Sequence, residues 1–432
     1  MCWLVARGRR RIGSLRVAVI FDNFGPYHIA RLTAASSLMT VLGVEVAGSS
    51  QDYAWARPAG DRPFEQVTLF PDGRSATATP FDLARKIAAA LDAFQPDIVA
   101  IPGWHDRAAL AALHWVDSKP DTVRIIVMSE SNRDDAQRSF HKEFVKRHIV
   151  GLFSAGLVGG TRAARYLEGL GMAPDQIALG YDVVDNGYFA AHAAAARSNA
   201  PAIRSRLNLP DDYFLSSCRF IPKKNLPFLI DAYAAFRASR QGDVWPLVLM
   251  GDGEMRPALE AQVAALGLGD MVRFPGFVQY ESLPAYYGLA RAFVLASTVE
   301  QWGLVVNEAM ASGLPVLVSN HCGCAADLVV DGQNGFTFDP NDQAGLVRGF
   351  GAVADHAAAL GAASAALIAP WSPDRFAHSL AALAQVALAA PPPRASGRQR
   401  PGRAGESATP GRRTGARSSP TRDVAGCRRR TR

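Results

Sequence analysis

The sequence predicts an α/β protein with two facing, doubly wound, Rossmann-like lobes, a cleft between them, and a disordered basic C-terminal tail. Short β-branched runs alternate with helix-period segments along most of the chain. Alternation of this kind forms right-handed crossovers in a mostly parallel sheet. The chain has 432 residues, 49% of them hydrophobic. It is therefore long and apolar enough for two domains with substantial cores.

The first series of elements defines a domain over residues 16–189. It begins with a strand at 16–21, and a helix is predicted from Pro26 because proline is tolerated in a first helical turn. Further strands are predicted at 44–47, 66–69, 97–101, 123–128 and 151–154. Ala-rich helices are predicted between them, at 81–94 and 107–116.

The alternation breaks over residues 190–205, which are small and polar. We interpret this segment as the linker between the lobes. A second strand–helix series then predicts a second domain over 206–371. Residues 372–390 are predicted to form a terminal helix, with Ser372 as its cap.

Both ends of the chain are basic. Residues 391–432 hold twelve Arg against Glu406 and Asp423, and residues 1–16 hold five Arg and no acid, while the whole chain has a formal charge of +7. The body between the ends is therefore acidic, so a nucleic-acid function is indicated only for the tail. Composition predicts a basic extension at 1–15 and a disordered Arg-rich tail at 391–432.

Targeting and redox signals are weak. No run approaches the ~18–20 apolar residues that cross a bilayer, and no apolar stretch of signal-peptide length follows the start. The five cysteines are an odd number without zinc spacing, so they are expected to be reduced thiols. These features predict a cytoplasmic protein.

The strongest chemical signal is the segment Glu300-Gln-Trp-Gly-Leu-Val-Val-Asn-Glu308, between a predicted strand and a predicted helix. Gly303 and Leu304 would lie at the helix N-terminus, where unpaired N–H groups favour a phosphate. Glu308 lies one turn further along. Two carboxylates could thus bracket one ligand and accept hydrogen bonds from sugar hydroxyls.

Two other strand-end loops carry supporting signals. Arg219 and Lys224 follow the predicted strand at 213–218, five positions apart. Two cations at this spacing suit a pyrophosphate leaving group. Gly251 opens a Gly-Asp-Gly-Glu turn after the strand at 246–250, which alone is a weak signal.

These motifs, with Arg273-Phe-Pro-Gly-Phe-Val278, Ala311-Ser-Gly-Leu-Pro-Val316 and Asp331-Gly-Gln-Asn-Gly335, occur in a characteristic order. In that order they resemble the donor-binding half of the retaining family-4 glycosyltransferases (glycosyl transferases group 1), which have the two-lobed GT-B fold. The resemblance is dense over 181–345 and looser over 16–180. It implies a metal-independent enzyme without a cofactor, whose donor substrate is a nucleoside diphosphate sugar and whose acceptor is a carbohydrate or a lipid-linked molecule.

The resemblance also implies roles for individual residues. Arg219 and Lys224 would hold the donor diphosphate, and Glu300 would bind donor-sugar hydroxyls near the reacting carbon. Glu308 would accept from the ribose hydroxyls. The remaining donor contacts are implied for Gly303, Leu304, Val305, Phe277, Val278 and Gly251. The terminal helix would cross back to the first lobe.

The candidates in the first lobe have two interpretations each. Gly25 could let the backbone approach a phosphate, although Pro26 lacks a donor N–H. His28 and His105 are either site residues or ordinary helix and surface residues. The resemblance implies a His at the end of the strand 97–101 that faces the reacting sugar, and His105 fits this position. Glu130 either lines the acceptor side or caps a helix.

Residues 138–148 form a basic segment with Phe140 and Phe144 one turn apart. Such a helix either rests on the inner face of an anionic membrane or packs both Phe side chains inward.

The same sequence features are compatible with two other functions. A GT-B epimerase or phosphorylase would use the same fold, and a nucleic-acid-binding protein would act through the Arg-rich tail.

Overall fold

The computed structural model describes residues 12–48, 60–73, 77–119, 122–136 and 138–390. The predicted tail at 391–432 and most of the predicted extension at 1–15 lie outside these residues. Within them, the chain forms two parallel sheets flanked by helices, in one compact unit. The prediction of two Rossmann-like α/β lobes is confirmed.

The first sheet has seven strands in the part of the chain that the structure describes, in the order β3-β2-β1-β4-β5-β6-β7, all parallel. These strands are β1 Arg16–Phe21, β2 Thr40–Ala47, β3 Glu65–Phe70, β4 Ile98–Pro102, β5 Arg124–Ser129, β6 Ala155–Val158 and β7 Ile177–Leu179. Its helices are α1 Pro26–Ser36, α2 Pro80–Phe94, α3 Arg107–Asp117, α4 Phe140–Val150 and α5 Thr161–Gly169.

The second sheet, formed wholly within the described range 138–390, has six parallel strands in the order β10-β9-β8-β11-β12-β13. They are β8 Phe214–Ser217, β9 Leu247–Met250, β10 Val272–Gly276, β11 Ala292–Leu295, β12 Val316–Ser319 and β13 Gly335–Phe338. Its helices are α8 Leu226–Ser239, α9 Arg256–Ala265, α10 Leu283–Leu289, α11 Leu304–Ala311, α12 Ala325–Leu328 and α13 Gln343–Ile368.

The segment predicted as a linker is helical. Residues 190–205 lie within α6 Asn186–Ser198 and α7 Ala200–Leu207, which connect the two sheets. The Asp185 side chain caps α6 by accepting from the Tyr188 N–H at 2.9 Å, and the Ala-rich sequence then favours helix over coil. Small residues here let α6 approach α10 closely, since a Cβ on Gly288 would lie 2.7 Å from the Ala193 carbonyl oxygen.

The last helix, α14 Pro373–Ala389, packs against α1 and the strands β5–β7 of the first sheet. The Ser379 hydroxyl donates to the Leu179 carbonyl oxygen at 2.8 Å. The helical stretch 343–389 is long and apolar enough to cross a membrane by length and mean hydropathy. Its buried residues nevertheless pack against both sheets as core helices do.

The predicted strand at 151–154 is wrong. Gly151 caps the end of α4, and its N–H donates to the Arg147 carbonyl oxygen at 3.0 Å. The strand β6 begins only at Ala155, after Phe153 has turned into the core. A short apolar run at the end of a helix cannot be distinguished from a short buried strand by its hydrophobic periodicity.

The strand order places the ligand crevice. In both sheets the order reverses beside the first strand, between β1 and β4 and between β8 and β11. Ligands of such sheets bind beyond the carboxyl ends of the strands at this switch point. One apolar cluster lies behind it and joins the lobes; for example, the Tyr27 ring of the first lobe lies 5.7 Å from the Tyr280 ring of the second.

Candidate active site in the interlobe cleft

An ion pair between Lys224 and Glu300 lies at the switch point of the second sheet. The Lys224 ammonium donates to Glu300 Oε2, and both side chains are largely buried. The Ser297 hydroxyl donates to the same oxygen at 3.4 Å. Burial opposes the charged form of Lys224, but the charge and hydrogen bond of Glu300 outweigh it and raise the pKa of Lys224. Lys224 is therefore a fixed positive charge at neutral pH.

The loops that carry this pair are tied together by backbone contacts. Thr298 donates from its N–H to the Lys223 carbonyl oxygen at 2.9 Å. Asn225 adopts a left-handed conformation with φ of 57°, which ends the short turn over Pro222–Lys224 and starts α8. The Gly323 N–H donates to the Glu300 carbonyl oxygen at 3.0 Å. The ion pair is thus held by rigid loops after β8, β11 and β12.

The N-terminus of α11 follows directly. Gly303 precedes it with φ of 110°, a conformation that favours glycine. Within the described ranges, no residue accepts a hydrogen bond from the backbone N–H of Leu304 or Val305. The helix therefore presents donors next to Glu300, as the sequence predicts, and an anion would satisfy them.

Glu308 occupies an unexpected environment. It is 1% exposed, and its Oε1 accepts from the Tyr27 hydroxyl of the first lobe. Its Oε2 has no hydrogen-bond partner among the residues described. Burial raises the pKa of Glu308 to about 7, against the opposing effect of the hydrogen bond from Tyr27. To use this carboxylate, a ribose would have to replace Tyr27 at Oε1 or reach the unpartnered Oε2.

The other predicted donor contacts lie on neighbouring loops. Arg219 is exposed directly after β8. Phe277 is 44% exposed just after β10, and Val278 packs against the apolar cluster that joins the lobes. These three residues share the carboxyl edge of the second sheet with Lys224.

Gly251 is fixed by its surroundings. Its φ is 134°, its N–H donates to the Gly276 carbonyl oxygen at 2.9 Å, and a Cβ there would lie 1.9 Å from the Cys218 carbonyl oxygen. The glycine therefore lets β8 and the turn after β9 approach each other. It gives no free N–H to a ligand, so its role in donor binding would be indirect.

Replacing Gly251 by Ala is expected to lower the free energy of unfolding by about 3 kcal/mol or more, since backbone strain adds to a main-chain clash. Urea unfolding would measure it. Gly242→Ala is the matched control, because Gly242 also has a positive φ, 93°, but nothing within 4 Å of its added Cβ. Equal losses in both variants would show that the contact with Cys218 is unimportant.

In the first lobe, Gly25 and His28 form a helix cap. The Gly25 N–H donates to His28 Nδ1 at 3.0 Å, and the His28 ring lies 4.3 Å from that of Phe21. Burial lowers the pKa of His28 to about 3, with a further contribution from Arg31. His28 is therefore neutral. The Gly25 N–H already donates to it, so it is not free to bind a phosphate if the backbone approaches one here.

His105 follows β4 and is exposed. Across the described residues, no hydrogen bond or ion pair joins it to the Lys224–Glu300 pair. Glu130 directly follows β5 in a half-buried position. Its carboxyl group interacts electrostatically with Glu300 and Lys223. Of the three titratable candidates in the first lobe, Glu130 is thus the one placed electrostatically close to Glu300.

A buried group that the sequence did not predict lies beside Glu130. Asp182 is fully buried, and its Oδ1 lies 3.7 Å from the Arg31 guanidinium. Burial, and then the charge of Glu130, raise the pKa of Asp182, which favours its protonated form. The sequence feature that could have indicated Asp182 is its position two residues after Gly180, at the end of the short strand β7. That strand was not predicted.

No group of three or more His, Cys, Asp or Glu side chains arranged for a metal ion occurs in the described part of the chain. The cleft instead combines a fixed cation, a carboxylate and helix N–H groups. This set suits a ligand that carries both phosphates and hydroxyls.

Residues 201–355 match the family model of the glycosyl transferases group 1. The match covers the second sheet and the first half of α13. The chain is 36% identical over 201 residues to a D-inositol 3-phosphate glycosyltransferase of Streptomyces scabiei, covering 44% of each chain. It is 33% identical over 139 residues to an alpha-D-kanosaminyltransferase of Streptomyces kanamyceticus, covering 32% of this chain and 35% of that one.

The first curated relatives are matched over little more than a third of their own length. Solved structures extend the likeness to both lobes. Sucrose-phosphate synthase of Thermosynechococcus elongatus aligns with a TM-score of 0.65 and 20% identity, over 85% of this chain and 97% of that one. Anabaena Alr3699/HepE aligns with a TM-score of 0.63 and 17% identity, over 85% and 98%. These likenesses show the GT-B fold.

Proposed function

We propose that this protein is a retaining glycosyltransferase of family 4. It would move a sugar from a nucleoside diphosphate sugar to a carbohydrate or lipid-linked acceptor, in polysaccharide or glycoconjugate biosynthesis. The observation that carries the proposal is the Lys224–Glu300 pair next to the open N-terminus of α11, at the switch point of the cleft. The HepE neighbour was solved with UDP and glucose, which supports this class of donor.

The geometry suggests how the donor would be held. Lys224 uses one N–H on Glu300, so two remain for phosphate oxygens. Glu300 Oε2 accepts from Lys224 and Ser297, which leaves Oε1 for a sugar hydroxyl. Arg219 and the N–H groups of α11 would share the diphosphate charge, so the protein's own cations would stabilise the leaving group without a metal.

The reaction would break the bond between the anomeric carbon and the β-phosphate oxygen. An acceptor oxygen would form the new bond on the same face of the sugar, and its proton would pass to the departing phosphate. No side chain in the cleft is assigned as a nucleophile. Closure of the lobes would exclude water from the oxocarbenium-like sugar.

The direct test is a thermal-shift screen of the full chain against uridine and guanosine diphosphate sugars. A bound donor should raise the melting temperature by mass action. The donor that binds is then incubated with candidate acceptors, and nuclear magnetic resonance reads the anomeric configuration of the product. An inverted product, or conversion of the donor without any acceptor as in an epimerase, would reject the proposal. A nucleic-acid-binding protein would instead lose its activity when residues 391–432 are removed.

We further propose that the protein is cytoplasmic and contacts the inner face of an anionic membrane through α4. Phe140 is 81% exposed and Phe144 is 56% exposed, so these side chains do not pack inward. Lys142 and Arg147 on the same helix are exposed beside them, and cations flanking exposed aromatics favour an anionic surface.

The double variant Phe140→Ser/Phe144→Ser is expected to lose most co-sedimentation with phosphatidylglycerol vesicles, while Phe81→Ser, at a 75% exposed site on α2, keeps it. Binding to vesicles of phosphatidylcholine alone measures the contribution of charge. Equal sedimentation of all three proteins would place the membrane contact elsewhere.

A further inference from the structure

A second, strongly basic groove lies apart from the Lys224–Glu300 pair. Its walls are α4, α5 and the loop after β5 in the first lobe, and the loops after β11 and β12 in the second; its volume is about 1160 Å³. Five of its lining residues are arginines, against the acids Asp134 and Glu143. The arginines are Arg133, Arg138, Arg147, Arg162 and Arg165.

Most of this positive charge is uncompensated. Arg138 pairs with Asp135 and lies 3.8 Å from Glu143. Arg133, Arg147 and Arg165 are exposed and make no ion pair with any residue in the described ranges. Because the body of the protein is acidic as a whole, a cluster of unpaired guanidinium groups at one groove is a local feature that net charge does not explain.

Glu143 does not neutralise these groups. It accepts from the Tyr166 hydroxyl and from Lys146, both at 2.9 Å. Burial opposes its charge, but these hydrogen bonds and the nearby cations lower the pKa of Glu143, so it is a carboxylate engaged with α4 and α5. Arg162 is held across the cleft, since it donates to the Asn320 carbonyl oxygen at 2.8 Å.

The groove reaches the reaction centre on the side of the first lobe. Thr298 and Val299 line it and directly precede Glu300. Its floor is tied to the same loop, because Asn132 donates to the Gln301 carbonyl oxygen at 3.3 Å and Gln301 donates to Asp135 at 3.1 Å. Lys224 and Arg219 are outside its lining. An anion here would therefore be separate from the donor diphosphate and would approach Glu300 from the opposite lobe.

We propose that this groove binds the acceptor through a phosphate group, so that the acceptor is a phosphorylated molecule, with Arg147 and Arg165 among its ligands. The identification of the bound molecule as the acceptor rests on the proposed function, whereas the phosphate site itself does not. Guanidinium groups bind phosphate oxygens in a planar, bidentate geometry. A neutral sugar has no charged oxygens to accept such paired hydrogen bonds. A water-soluble sugar phosphate and a lipid phosphate present the same chemistry.

The test compares the full chain with Arg147→Gln/Arg165→Gln, in the presence of saturating UDP, by calorimetric titration. The probes are glucose 6-phosphate, and separately phosphatidic acid in phosphatidylcholine vesicles. Arg237→Gln is the matched control, since Arg237 is exposed on α8 far along the chain from the groove. All proteins keep the same C-terminal tail, so its arginines contribute equally.

We expect the double variant to bind at least one probe about tenfold or more weakly than the wild type and the control, with UDP binding unchanged. Loss with glucose 6-phosphate indicates a soluble acceptor. Loss with the phosphatidic acid vesicles, but not with vesicles that carry phosphatidylglycerol instead, indicates a lipid phosphate acceptor and separates it from the general membrane contact proposed for α4. Arg147→Lys/Arg165→Lys should recover part of the affinity, because lysine restores the positive charge without the planar, bidentate geometry of the guanidinium group. Equal affinity of wild type and double variant for both probes overturns the inference, whereas failure of both UDP and GDP to bind any of the proteins counts against the proposed function alone.

Discussion

Replacing Lys224 by Ala is expected to reduce the rate of sugar transfer by about 10²-fold or more at saturating donor. The substitution removes the fixed cation that would meet the leaving diphosphate, and charge stabilisation of this kind contributes factors of that size. It also leaves the Glu300 carboxylate without its partner in a largely buried position. Single-turnover and steady-state rates of the purified variant would measure the loss.

Lys223→Ala is the matched control for this experiment. Lys223 is exposed and adjacent, and the contact with Thr298 comes from its backbone, which the substitution keeps. Glu300→Gln should cost about as much as Lys224→Ala, and the double variant little more than either, because the two groups act as a unit. Near-normal turnover in Lys224→Ala and Glu300→Gln would remove the central support for the proposed function.

Glu308→Gln is expected to stabilise the protein at alkaline pH while weakening donor binding. The carboxyl has a pKa of about 7 in the folded protein against 4.5 for the free side chain. Between these values the folded state holds a proton that the unfolded state has lost, so stability falls as the pH rises. Above pH 7 this amounts to about 3 kcal/mol. Gln cannot ionise and avoids this loss.

Urea unfolding at pH 5 and pH 8.5 would measure the effect. The gain from Glu308→Gln should be small at pH 5 and near its maximum at pH 8.5, and Glu168→Gln, an exposed position on α5, should give no such trend. Donor affinity should fall about tenfold, because a charged acceptor of ribose hydroxyls is lost. A variant that is less stable at both pH values, or that binds donor normally, would contradict this role of Glu308.

Local patterns in the sequence predict the second lobe well. Glu300, Gly303 and Glu308 are spaced within one loop and one helix, so strand–turn–helix reasoning places them on one edge of the sheet. Predicting the position of Lys224 needs one more inference, since Lys224 follows a different strand of the same sheet. The structure brings it onto Glu300 because the order β8-β11 makes those strands neighbours.

Contacts between distant segments were not predictable in this way. Tyr27 and Glu308 are 281 positions apart, and no spacing rule joins them. The same holds for Arg31 with Asp182, and for the groove formed by α4, α5 and the loops of the second lobe. The linker prediction at 190–205 relied on small, polar composition, which cannot separate a coil from an Ala-rich helix whose cap lies upstream at Asp185.

The position of α14 has a consequence for how the molecule is made. Seven of its residues, including Phe376 and Leu380, are buried, and it packs against α1 and β5–β7. On the ribosome, the first sheet is complete at Leu179, but the helix that shields one of its faces is synthesised some two hundred residues later. Until α14 has emerged, that apolar face stays open to water, so the first lobe can complete its packing only after the strands of the second sheet have been synthesised.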